Sequence, residues 1–103
     1  MRESKANPRA SWEFYGIDKV QQMILKELMR SDEYASMVQT VAFAANEIVA
    51  LYLIKSVLEN KSYDRLEFDR ELGRIACGRT DFYGIRRYFY YLFYLKLNEH
   101  RSE

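Results

Sequence analysis

The sequence predicts an all-α protein, a small single domain resembling a four-helix bundle, on three observations. Apolar residues recur at helical spacing over most of the 103 residues, and no stretch pairs period-two alternation with hairpin turn chemistry. One proline and four glycines leave few breaks in the chain. Hydrophobic residues make up 49% and charged residues 30%, the balance of a globular chain rather than a disordered one.

Residues 1–10 mix charge, Asn7 and the sole proline, Pro8, and read as a flexible N-terminal arm before a helical domain over 11–103. A first helix is predicted over 16–30. Ile17, Val20, Met23, Ile24 and Leu28 share one face, and Lys19, Gln22, Lys26 and Arg30 share the other. Ser31-Asp32 supplies a cap or short turn.

A second helix is predicted over 32–60 from the stripe Tyr34, Met37, Val38, Val41, Ala45, Ile48 and Tyr52. It would be roughly 40 Å long at 1.5 Å per residue. Either it is the central spine, or it kinks near Thr40 or Asn46. A third helix, 64–77, is capped by Asp64 and carries Leu66, Phe68, Leu72, Ile75 and Ala76, with Gly73 inside it and Gly78 as its terminal glycine. Thr80 or Asp81 caps a fourth helix over 81–98. The short connections favour antiparallel neighbours.

The tetrapeptide FYGI occurs twice, at Phe14–Ile17 and Phe82–Ile85, each with an acid before it. Identity stops at the tetrapeptide's edges and the likeness covers only seven residues, so two similar helix starts are favoured over a duplicated unit. One glycine per copy cannot supply the run of amides that cradles a phosphate.

Little else resembles catalytic machinery. Cys77 is the sole cysteine, which excludes an intrachain disulfide and a multi-cysteine zinc site and suits a reducing compartment. His100 stands three residues from the end, where a general base is hard to orient. Glu67 and Glu71 have helical i, i+4 spacing but lie among Arg65, Arg70 and Arg74, the pattern of a salt-bridged face. No catalytic set, cofactor site, metal site or small-molecule substrate is expected. Asn46-Glu47 interrupts the most apolar stretch and is read as a solvent-facing stripe, with a buried register role as the alternative. No apolar run approaches the ~20 residues of a membrane span, and a cytoplasmic protein is expected.

The most informative stretch is the fourth helix, which is apolar or aromatic all round from Tyr88 to Leu95. Such a helix must be covered on most sides. If one bundle groove hides half of it, the other half leaves several hundred Å² of apolar surface in water, on the order of what monomers rarely expose. Helical phase places Ile85, Phe89, Leu92 and Phe93 on the side expected to face the core. Tyr83, Tyr90, Tyr91 and Tyr94 then form the candidate interface, facing a second copy or a protein partner. The expected function is therefore regulatory or accessory, acting through protein–protein contact as a homodimer or with another chain.

The alternative is nucleic-acid binding through Arg74, Arg79, Arg86, Arg87 and Lys96, interleaved with tyrosine. Bulk charge is neutral on the matter, with 16 basic against 15 acidic residues. Residues 65–95 have the outline of a helix-turn-helix, and RIACGRTDFYGIRRYF is loosely similar to tetracycline-repressor-type recognition segments. That resemblance covers under a fifth of the chain. Gly78 follows Ala76 too soon for the pattern, and aromatics replace the polar recognition face, so no family is drawn from it.

Overall fold

The computed structural model describes residues 10–102, with side chains as far as Glu99. The expected arm is therefore outside the described residues but for Ala10, which is buried. The described chain is mostly helical, as the periodicity predicts, with one small antiparallel sheet. In chain order come α1 (Trp12–Tyr15), α2 (Lys19–Met29), a 3-10 turn (Asp32–Tyr34), α3 (Ala35–Ala45), α4 (Ala50–Leu58), α5 (Tyr63–Leu66), β1 (Phe68–Asp69), β2 (Gly73–Arg74) and α6 (Arg79–Ser102).

Local chemistry sets the boundaries. Ser11 Oγ accepts from Phe14 N (3.2 Å) and starts α1, and Gly16 ends it in the left-handed region at φ 71°. Asp18 and Gln21 then form a reciprocal capping box at the head of α2, with bonds of 2.8 and 3.0 Å.

The predicted second helix is two helices. The break falls at Asn46, one of the two positions expected to kink. Asn46 is extended, and its Oδ1 accepts from Ile48 N (2.9 Å) and Val49 N (3.2 Å). The side chain thus satisfies amides that the interrupted helix would otherwise orphan. Glu47 is exposed, as the solvent-facing reading expects, whereas Asn46 takes this local role in place of either reading.

The predicted helix 64–77 does not form. Ser62 and not Asp64 precedes the short α5, and residues 68–74 turn back as a hairpin pairing Phe68 with Arg74 and Asp69 with Gly73. Asp69 Oδ1 accepts from Glu71 N (2.8 Å) and Leu72 N (2.9 Å), and Gly73 supplies φ 84°. Gly78 does not close a helix; its carbonyl accepts from Phe82 N (2.9 Å) at the entry to α6. Accordingly α6 begins at Arg79, two residues ahead of the expected start.

The core gathers around α6. Its Phe82, Phe89 and Phe93 are fully buried, and α1, α2, α3 and α5 all pack against it. The central spine is therefore α6 and not residues 32–60. Ala42 of α3 and Ala50 of α4 are fully buried as well, small side chains that permit close helix approach. No helix among the described residues is long and apolar enough to cross a membrane.

Candidate interaction surface

The tyrosine face of α6, expected to meet a partner, is closed largely from within. Tyr90 is only 2% exposed. The Trp12 ring stands edge-on to Tyr90 with centroids 5.2 Å apart, and Tyr15 stacks on Tyr91 at 4.8 Å. Tyr83 is half-buried, and its hydroxyl accepts from Tyr63 N (2.9 Å). Tyr94, also half-buried, lies against α2. More than one groove receives α6, and α1 and its neighbours cover much of the circumference that a single groove would leave open.

Each of the five candidate nucleic-acid contacts has a partner within the chain. The Arg74 guanidinium lies 5.4 Å from the Phe68 ring centroid. Arg79 pairs with Asp64 and lies 5.4 Å from the Tyr63 ring centroid. Arg87 Nε donates to the Ala10 carbonyl (2.7 Å), and Lys96 stands 3.9 Å from Glu99. Arg86 donates to Ser56 Oγ (3.1 Å) and to the Tyr90 hydroxyl (3.2 Å). The helix-turn-helix outline over 65–95 is absent, because the hairpin occupies its first half.

Open apolar side chains stand at several places, among them Phe14, Phe68, and Phe43, Ile48 and Leu51 around the α3–α4 break, and one group is on α2. Sequence placed Val20, Met23, Ile24 and Leu28 together on one face, but the fold divides them. Leu25 and Met29 are buried and Leu28 half-buried, while Val20, Met23 and Ile24 are 62%, 64% and 52% exposed. The apolar arc of α2 is wider than its contact with the core, so one edge is left in water.

Two grooves flank that edge. One, of about 170 Å³, is lined by Gln21, Ile24, Leu25, Leu28, Tyr94, Leu97 and Asn98. The other, of about 220 Å³, is lined by Trp12, Lys19, Gln22, Met23, Lys26, Arg86 and Tyr90. Local structure fixes the second groove. Asn60 takes φ 54° after α4, Lys61 N bonds back to Ser56 O (3.1 Å), and Lys26 Nζ donates to the Asn60 side chain. Ser56, buried in α4, donates to Leu53 O (2.7 Å) and accepts from Arg86. The guanidinium is thereby held 5.0 Å from the Tyr90 ring centroid. Burial raises the Tyr90 phenol pKa despite the opposing charge of Arg86, so that hydroxyl stays neutral.

An ion-pair cluster ties the hairpin to α4. Lys55 bridges Asp69 and Glu71, each at 2.8 Å. Its hydrogen bond, with those of the Leu72 and Glu71 amides, lowers the Asp69 carboxyl to about 2, and both carboxylates raise the Lys55 ammonium. Glu71 thus serves the hairpin and does not share a helix face with Glu67. The Asp69-to-Gly73 spacing, an acid followed by a glycine with turn amides between, was the signal that helical periodicity obscured.

Burial and the nearby Asp81 raise the Cys77 thiol pKa, which disfavours the nucleophilic thiolate. The side chain of His100 lies outside the described ones. Among the described residues no group of three or more His, Cys, Asp and Glu is placed to hold a metal ion. No protein-family model matches the chain, and comparisons with curated proteins and with solved structures find no match either.

Proposed function

We propose that this is a non-catalytic helical protein of a reducing compartment that works by docking another polypeptide on the outer face of α2. The observation that carries the reading is the run Val20, Met23 and Ile24, each more than half exposed on consecutive turns of one helix and bordered by grooves on both sides. Apolar side chains arranged in this way are the anchors that helix-in-groove recognition uses. The neutral thiol of Cys77 supports the non-catalytic part of the reading, and its being the sole cysteine supports the compartment.

The test is a photo-crosslinking amino acid placed at Ile24 or, as a control, at the exposed Gln39 of α3, in the native host. A discrete adduct with a polypeptide, a second copy of this chain included, is expected from position 24 and not from position 39. Adducts to nucleic acid, or equal labelling from both positions, would overturn the reading.

A further inference from the structure

We infer that the partner docked on α2 is an acidic amphipathic segment, its carboxylates entering the groove between α1, α2 and α6 while its apolar side covers Val20, Met23 and Ile24. The inference rests on the docking reading and adds the chemistry of the occupant. Three cations, Lys19, Lys26 and Arg86, line one groove, and no carboxylate lines it. None of the three takes part in an ion pair among the described residues; Lys26 and Arg86 are held only by the neutral groups of Asn60, Ser56 and Tyr90. Arg86 is half-buried, so its guanidinium is partly desolvated, and it has no carboxylate partner among the described residues. Such a group rewards an incoming carboxylate more than a fully hydrated lysine would.

Helical phase gives the order across the outer face of α2. Ile24 and Val20 lie on the side of the apolar groove, Met23 and the exposed Glu27 in the middle, and Arg30, Lys19 and Lys26 on the side of the basic groove, so cations outnumber the one carboxylate of this face. A partner must therefore present apolar and acidic groups side by side, as one amphipathic helix does. Nucleic acid supplies the charge but no apolar face for Val20 and Ile24. A flat anionic bilayer would meet the exposed edge of α2 but not the half-buried Arg86 within the groove. The N-terminal segment is a poor occupant, since residues 1–9 carry Arg2, Lys5 and Arg9 against Glu3.

The experiment titrates the full chain with designed peptides of about four helical turns, ~14 residues. They share one leucine face and carry Glu, Gln or Lys beside it. The Glu peptide should bind about tenfold or more tighter than the Gln peptide, and the Lys peptide weakest of all. The preference should fade as ionic strength approaches ~1 M, where the Debye length is about 3 Å. Lys19→Glu with Lys26→Glu should reverse the order. If that pair unfolds the chain, Lys19→Glu alone, at an exposed position, should shrink the preference.

Equal binding of the Glu and Gln peptides, abolished by Met23→Glu, would overturn the acidic partner and leave the docking reading standing. Binding of no peptide would overturn both. Wild type that dimerises through α2, or that prefers anionic vesicles or DNA to the Glu peptide, would also overturn the acidic partner.

Discussion

In Phe14-Tyr15-Gly16-Ile17 the glycine ends a helix, whereas in Phe82-Tyr83-Gly84-Ile85 it lies inside one. The burial patterns differ as much as the backbones. Phe14 is 71% exposed and Phe82 fully buried, and Gly16 is exposed while Gly84 is buried; only the isoleucines, Ile17 and Ile85, are buried alike. What separates the copies is the next residue. Asp18 can cap a new helix and has Gln21 to complete the capping box, so a break at Gly16 is followed at once by a well-capped start. Arg86 and Arg87 offer no such cap, so the second copy continues as helix. A tetrapeptide with one glycine tolerates both outcomes, and its flanks choose between them.

The largest expected effect separates the two phenylalanines. Phe82→Ala should cost about 3–5 kcal/mol in a denaturant titration, the range for emptying a buried aromatic site. Phe14→Ala should stay within about 0.5 kcal/mol of wild type. Comparable losses at both would mean that the copies share an environment.

The glycine that ends α1 comes next. Gly16→Ala meets no neighbouring atom, but φ 71° should make it cost about 1–2 kcal/mol. A neutral or stabilising result would show that the helix can run through position 16 as it does through 84. Asp18→Ala should cost about 1 kcal/mol through the lost cap, and Asp18→Asn should restore most of it. Loss in the alanine variant without rescue by asparagine would remove capping as the explanation.

Much of this was legible and some was not, for reasons that particular residues supply. The helical character of α2, α3, α4 and α6 follows from periodicity, and the polar Asn46 marked a break between apolar runs. The hairpin was missed because Leu66, Phe68, Leu72 and Ile75 can be drawn on a helix, while Asp69 and Gly73 favour a turn. The division of α2 into a buried and an open side could not be read, because Ile24 and Leu25 are equally apolar neighbours. Docking on α6 decides which is hidden.

The tyrosines of α6 misled for a related reason. A helix apolar all round must be covered, but periodicity does not say by what. Here Trp12 and Tyr15 of α1 cover Tyr90 and Tyr91, from a segment expected only to begin a helix. The face expected to be open on α6 is thus largely covered, whereas Val20, Met23 and Ile24 of α2, read from the sequence only as one helical face, are open.

One chemical change at two positions tests that contrast most directly. Thermal unfolding followed by circular dichroism should show Met23→Glu, at a side chain 64% exposed, melting cooperatively within a few degrees of wild type. Tyr90→Glu, at a side chain 2% exposed, should abolish the cooperative transition or lower it sharply, because a carboxylate there is buried against the Trp12 ring. A folded Tyr90→Glu protein with wild-type Tm, beside a Met23→Glu protein that no longer folds, would contradict the account and return the open face to α6.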